Sequence, residues 1–157
     1  PHCGQRNILR EQINVRKLAL YCAMAIGFNL HATAAHAGEM AIIVNPAAGV
    51  DSLSEEDIVR IFLGKSTTYP NDANVTPLAR KEGTDIRNQF DSSILHKNAS
   101  QVKAYWAQQV FTGRGTPPDE YASDDEIKKL VASNPGMIGY IESSAADSTV
   151  KVVLKAN

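Results

Sequence analysis

Cysteine is scarce in this sequence, and histidine is nearly as scarce. Cys3 and Cys22 are its only cysteines, and three of its four histidines also precede residue 38. A disulfide, a thiol nucleophile and a cysteine metal site are therefore excluded from residue 38 onward. His96, the one histidine in that part, cannot form a histidine metal cluster alone, and no nucleophile-elbow sequence accompanies it. We therefore expect no catalytic residue, no metal site, no cofactor and no enzyme activity.

An excess of basic residues is also lacking. The 157 residues include 16 Lys and Arg against 17 Asp and Glu, a formal net charge of −1. Four of the basic and one of the acidic residues precede residue 38, so the rest holds 12 basic against 16 acidic side chains. Because no basic patch remains, nucleic acid is not expected as a partner.

Residues 15–37 contain the three parts of an export signal in the right order. Arg16-Lys17 is positively charged, and residues 18–30 form an apolar run that is too short for a stable transmembrane helix. Ala35-His36-Ala37 then supplies the small-x-small pattern that predicts cleavage after Ala37. We expect export to the periplasm and a mature domain of residues 38–157.

Residues 1–14 fit no part of such a signal, and the chain does not begin with Met. We hypothesise that translation starts at Val15 and that the residues before it are an upstream artefact. Peptides from residues 1–14, found in the precursor by mass spectrometry, would contradict this hypothesis.

Short apolar runs predict four strands after residue 37. Met40 to Val44 ends at Asn45-Pro46, which is typical of a buried strand leading into a loop. Further runs predict strands at 75–79, 137–141 and 150–154.

Capping residues followed by apolar residues at helical spacing predict four helices. The first ends at Gly64 and the second near Leu95. Their predicted N-caps are Ser54, Thr84, Ser100 and Ser123. The order β-α-β-α-α-α-β-β predicts a compact α/β domain with helices packed on a small sheet.

The strongest candidate binding site lies where the second strand meets the second helix. The strand delivers Arg80 to a loop in which Gly83 permits a sharp turn, and Thr84 opens the helix. Backbone amides and a helix dipole can face an anion in this way, and a guanidinium can bind the same anion with two hydrogen bonds. The alternative is that Thr84 only caps its helix and Arg80 is a surface charge.

Three other features are interpreted as structural. Pro117-Pro118 directly follows Gly113-Arg114-Gly115, so this loop lacks the helix of a phosphate-binding loop and is predicted to be a turn. Trp106 shares helical spacing with Val102 and Val110, which indicates a core residue. His96 is expected at the C-terminal end of a helix, where the dipole favours a cation.

Two segments are specific in combination, Ile61-Phe62-Leu63-Gly64-Lys65 and Pro135-Gly136-Met137-Ile138-Gly139-Tyr140, and Arg80, Thr84 and Phe90 lie between them. In this order they resemble the second lobe of the phosphate-binding periplasmic proteins of ABC transporters. The resemblance covers nearly all of residues 41–153. It implies an α/β fold that is a single lobe of a type 2 periplasmic-binding protein, with a small mixed sheet and packed helices, and a solute-binding role.

In that family an Arg and a Ser-Gly-Thr turn at a helix start bind phosphate. By position, Arg80 matches the Arg and Thr84 matches the Ser, whereas Asp85 replaces Gly and Ile86 replaces Thr. One hydroxyl is lost, and a carboxylate enters the anion site. Arg87, one turn into the helix, can offset Asp85 or pair with it. The implied ligand-binding residues are Arg80, Thr84, Asp85, Ile86 and Arg87.

Two functions remain open at this point. The first is a periplasmic solute-binding-like protein that binds phosphate or a similar small oxyanion, weakly because the other lobe is missing. A second copy of the chain, an ABC permease or an envelope protein could complete it. The second is a ligand-free interaction or sensory accessory module of the cell envelope, which Asp85 favours. Only the site can decide between them, because a fold alone does not fix function.

Overall fold

The structure is a computed structural model that describes residues 38–157. Its strands are β1 (Met40–Val44), β2 (Thr76–Arg80), β3 (Asp119–Tyr121), β4 (Met137–Glu142) and β5 (Lys151–Ala156). Its helices are α1 (Glu55–Phe62), α2 (Asp85–Ser93), α3 (Ala99–Phe111) and α4 (Asp124–Ser133). Two short 3-10 turns, Pro46–Ala48 and Ser143–Ala145, follow β1 and β4. No helix in this part of the chain is both long enough and apolar enough to cross a membrane.

The five strands form one mixed sheet in the order β3-β2-β4-β1-β5. β2 runs parallel to β3 and to β4, whereas β1 is antiparallel to both of its neighbours, β4 and β5. The sheet therefore brings the end of β2 next to the ends of β3 and β4. The candidate site lies at this edge of the sheet.

Helices cover both faces of the sheet, which explains why β1 is apolar throughout. Met40, Ile42 and Val44 belong to a core cluster with buried residues of α1, α2 and α3. Ala41 and Ile43 belong to a second cluster with buried residues of α4. A strand that is buried on both faces needs no polar alternation, so the apolar run correctly predicted a buried strand.

Side chains at three helix starts form reciprocal capping boxes. Ser54 caps α1 and Ser123 caps α4, as predicted, and the box of Ser123 with Glu126 was predicted as well. The reciprocal bond between Ser54 and Asp57 was not predicted. The prediction that Ser100 caps the third helix is wrong. Asn98 caps α3, because its side chain accepts the amide of Gln101 and the Gln101 side chain accepts the amide of Asn98.

Other element boundaries also differ from the predictions. The short edge strand β3 was not predicted, so the order is β-α-β-α-α-β-α-β-β. β2 and β5 begin one residue later than expected and extend one and two residues further, to Arg80 and Ala156. The second helix ends at Ser93, two residues before the predicted end near Leu95.

Aromatic rings fill the core between the sheet and its helices. Phe90 of α2 stacks on Tyr140 of β4 with ring centroids 4.0 Å apart, and Phe62 lies 4.7 Å from Phe90. Trp106 is buried, which confirms its interpretation as a core residue. Val110 is 53% exposed, so the predicted apolar face of α3 is buried only at Val102 and Trp106.

Candidate functional site

The turn between β2 and α2 is built as the sequence predicted. Arg80 is the last residue of β2, and Thr84 is the N-cap residue of α2. Gly83 has a φ of 84°, in the left-handed region that glycine adopts without strain, and open space surrounds the position of its missing Cβ. The Thr84 hydroxyl donates a hydrogen bond to the carbonyl oxygen of Lys81, at 2.8 Å.

The first turn of α2 lacks the side-chain cap that the other helices have. Thr84 makes no capping hydrogen bond, whereas α1, α3 and α4 each begin with a capping box. Within residues 38–157, no acceptor is found for the amides of Asp85, Ile86 and Arg87. These amides carry the positive end of the helix dipole, so this turn can accept an anion.

Arg80 is buried beside this turn and is held by its neighbours. Only 9% of the residue is exposed. Its Nη1 forms an ion pair with Asp124, and its Nη2 donates to the carbonyl oxygen of Ala122 at 2.9 Å. Its backbone amide donates to the Tyr140 hydroxyl at 3.0 Å. Its Nε is buried and has no hydrogen-bond partner among the described residues.

Arg87 links α2 to the end of the sheet. Its Nε lies 3.0 and 3.1 Å from the two carboxylate oxygens of Asp91. Its Nη1 donates to the carbonyl oxygen of Arg80 at 2.9 Å and to Glu120 at 3.1 Å. Asp91 is only 2% exposed. Burial raises the pKa of this carboxyl, and the neighbouring Arg87 opposes that rise.

Carboxylates therefore compensate both guanidiniums at this site. Asp124 pairs with Arg80, and Asp91 and Glu120 pair with Arg87. Arg87 does not pair with Asp85, which is exposed on the first turn of α2. Neither Arg80 nor Arg87 is therefore an unpaired cation. Any anion must share or displace these contacts.

The five predicted site residues have different places in the structure. Arg80 and Arg87 are in direct contact through the Arg80 carbonyl oxygen. Thr84 and Asp85 lie at the start of α2, where the anion was expected. The Ile86 side chain is buried in the core, so only its backbone amide is available to a ligand. Arg80 ends β2, and Thr84 to Arg87 form the start of α2 four residues later.

Sequence reasoning missed the acidic residues that complete this site. Glu120 comes from the unpredicted strand β3, and Asp124 was recognised only as part of a helix start. The signal that could have found them is the sheet order. Once β3 is known to lie beside β2, the residues that follow β3 must lie beside Arg80.

The other polar candidates lie outside this turn. Gly113 has a φ of 66° in an irregular loop, in keeping with the predicted turn.

His96 lies beyond the end of α2 with a φ of 51°, so the expectation that it ends the helix is wrong. Its Nε2 lies 2.6 Å from a carboxylate oxygen of Glu55. No group of three or more metal-ligating side chains is found between residues 38 and 157.

Comparison with known proteins identifies the family. The PBP superfamily domain matches residues 11–155. The phosphate-binding protein PstS of Bacillus subtilis (strain 168) is 29% identical over 112 residues, which are 67% of this chain and 31% of that protein. The chain thus spans about a third of the length of this curated relative.

Solved structures share the fold over part of their length. A putative phosphate ABC transporter substrate-binding protein with bound phosphate from Clostridium perfringens has a TM-score of 0.59 and 24% identity. An ABC-type phosphate transport receptor from Vibrio cholerae has a TM-score of 0.56 and 21% identity. Each match covers 74% of this chain but only 45% and 46% of the respective structures. The predicted fold, one lobe with a small mixed sheet and packed helices, is confirmed, and the chain belongs to the PBP superfamily domain family as a single lobe of a type 2 periplasmic-binding protein.

Proposed function

We propose that this lobe binds phosphate or a similar small oxyanion at the turn formed by Arg80 and the first residues of α2. The observation that carries the proposal is the uncapped start of α2, which follows the strand that ends at Arg80. The amides of Asp85, Ile86 and Arg87 have no acceptor among residues 38–157. The names of the relatives, which are phosphate-binding and phosphate-transport proteins, support the choice of anion.

The magnitudes predict weak binding. A hydrogen bond to Arg80 contributes about 1.5–3 kcal/mol and a hydroxyl about 1 kcal/mol. The helix start adds about 0.3–2 kcal/mol. The gross total of about 3–6 kcal/mol opposes association costs of about 4 kcal/mol or more. Micromolar affinity requires about 8.2 kcal/mol net. The net, at most about 2 kcal/mol, is below the 4.1 kcal/mol that millimolar affinity requires. We expect a dissociation constant of about 30 mM or weaker for the isolated lobe.

Tighter binding would need a second binding surface, because the contacts of one lobe are too few. The solved relatives are more than twice as long as the matched region, so they contain additional chain that this lobe lacks. A second copy of this chain, an ABC permease or an envelope protein could supply it. The role would then be solute binding in the periplasm and not catalysis. Export with removal of residues 15–37 is part of the proposal, and those residues lie outside the described part of the chain.

Titration followed by amide NMR tests the proposal directly. The protein is used in the form that is produced after export, and it is titrated with phosphate, sulfate or chloride at matched ionic strength. Phosphate should shift the amides of Asp85, Ile86 and Arg87 with a saturable midpoint of about 30 mM or higher. Arg80→Ala should weaken the response at least fivefold, whereas Lys81→Ala, which removes an exposed neighbouring charge, should change it less than twofold. No saturable shift of these amides at hundreds of millimolar phosphate would overturn the proposal.

A second candidate function is a ligand-free interaction or sensory module of the cell envelope. The favouring observation is that Arg80 and Arg87 are each already paired with carboxylates of the same lobe. Phe111, 92% exposed at the end of α3, adds an apolar contact point. Cross-linking to one envelope protein that persists with Arg80→Ala and is indifferent to phosphate would favour this candidate. Loss of that cross-link upon Arg80→Ala would count against it.

A further inference from the structure

Asp124 forms an ion pair with Arg80 inside the lobe, at the position where a bound anion would compete for the same guanidinium. One Asp124 carboxylate oxygen pairs with Nη1 of Arg80, and the other accepts the backbone amide of Glu142 at 3.2 Å. The side chains of Arg80 and Asp124 are only 11% and 19% exposed. Asp124 is also the first residue of α4, where the helix dipole stabilises its negative charge. The carboxylate is thus fixed against the guanidinium by three independent features.

These contacts leave few N–H donors of the Arg80 guanidinium available to a ligand. A guanidinium offers five N–H donors. Asp124 engages Nη1, the Ala122 carbonyl oxygen engages Nη2, and the Nε is buried. An oxyanion that binds between the start of α2 and Arg80 would therefore meet a guanidinium whose charge Asp124 already balances. It must displace Asp124 or accept a weaker hydrogen bond, because charge-assisted hydrogen bonds are about twice as strong as neutral ones.

We infer that Asp124 sets the oxyanion affinity of this lobe by acting as an internal competitor for Arg80. The inference rests on the proposed function and adds a mechanism that regulates the affinity of the site for the anion. Anything that draws Asp124 away from Arg80, such as a cation on a partner protein, would raise the affinity for the anion. The lobe alone is then held in a low-affinity state by one ion pair.

The substitution Asp124→Asn tests this inference. Asn is nearly the same size and keeps an oxygen for the Glu142 amide, but it carries no charge to compete for Arg80. Phosphate affinity, measured by the same amide titration, should rise at least tenfold, which corresponds to about 1.4 kcal/mol. Thermal unfolding of each variant confirms that it is folded. If Asp124→Asn does not fold, Asp124→Ser, with a shorter polar side chain, replaces it.

Asp125→Asn is a matched control. Asp125 lies in the same first turn and carries the same charge, but its side chain is 75% exposed and lies 3.6 Å from Lys128, away from Arg80. It corrects for the loss of one negative charge from the whole lobe. This control should change phosphate affinity by less than twofold.

The outcomes separate this inference from the proposed function. Weak phosphate binding that Asp124→Asn leaves unchanged, or that both variants increase equally, overturns the inference and leaves the proposed function standing. Binding that is present in the unsubstituted chain and tightens only with Asp124→Asn supports both. Absence of binding in the unsubstituted chain and in a folded Asp124→Asn variant overturns both.

Discussion

Replacing Tyr140 by Phe removes one buried hydroxyl and leaves the ring packing intact. Tyr140 is fully buried, and its ring stacks on Phe90 at 4.0 Å with an interplanar angle of 1°. Its hydroxyl oxygen accepts the backbone amide of Arg80 at 3.0 Å, in a buried hydrogen bond. Phe keeps the stacking and deletes only the acceptor. The Arg80 amide is then left buried and unpaired.

A buried N–H without an acceptor costs about 1–3 kcal/mol. For a domain of this size, each kcal/mol lowers Tm by about 4 °C. We therefore expect Tyr140→Phe to lower the free energy of unfolding by about 1–3 kcal/mol and Tm by about 4–12 °C. Burial raises the pKa of Tyr140 above its ordinary value, so the phenol is protonated at neutral pH and the loss should not vary between pH 6 and pH 8.

Tyr105→Phe is the control for this experiment. The Tyr105 hydroxyl donates to the carbonyl oxygen of Leu63 at 2.7 Å, in a partly buried contact. Water can replace that donor, so the expected loss is about 0.5–1 kcal/mol. Both variants are compared by thermal and urea unfolding followed by circular dichroism. If Tyr140→Phe destabilises the protein no more than Tyr105→Phe, the hydrogen bond to Arg80 does not have the assigned role.

Two further predictions concern other parts of the lobe. Gly139→Ala would place a Cβ against the buried side chain of Ile127, so we expect a loss of about 1–3 kcal/mol in urea unfolding; an unchanged midpoint would contradict this close packing. Hydrogen bonds from Thr149, then Lys128, lower the pKa of Asp147 to about 2. Because the folded pKa is lowered, this group stabilises the fold above about pH 4, and the contribution is lost as the pH falls towards 2. Asp147→Asn should flatten the acid dependence of Tm in that interval, and an identical dependence in both proteins would refute the assignment.

Locally determined features could be predicted from the sequence. β1 followed from a continuous apolar run, and the starts of α1 and α4 followed from Ser54 and Ser123 with an acid three residues later. Each pattern depends on residues that touch within one turn or one strand. The misassigned start of α3 was also local, since Asn98 and Gln101 satisfy the same capping rule better than Ser100 does.

Features that depend on distant pairing could not be predicted in this way. The residues of β3, Asp119–Tyr121, have no apolar alternation, and they form a strand only because β2 lies alongside. For the same reason Arg80 and Asp124, which are 44 positions apart, gave no sign of their ion pair. The backbone of the candidate site was thus predictable, whereas its charge balance was not.

The place of β1 in the sheet has a consequence for the order of folding. β1 lies between β4 and β5, so Met40 is paired with Glu142 on one side and Ala156 on the other. During synthesis β1 cannot pair with either of these strands until residues 137–156 have emerged. Loops of this length close slowly and favour late, cooperative assembly. A chain interrupted before residue 137 would leave a strand of five buried residues without either of its neighbours, and it should be prone to aggregation and degradation.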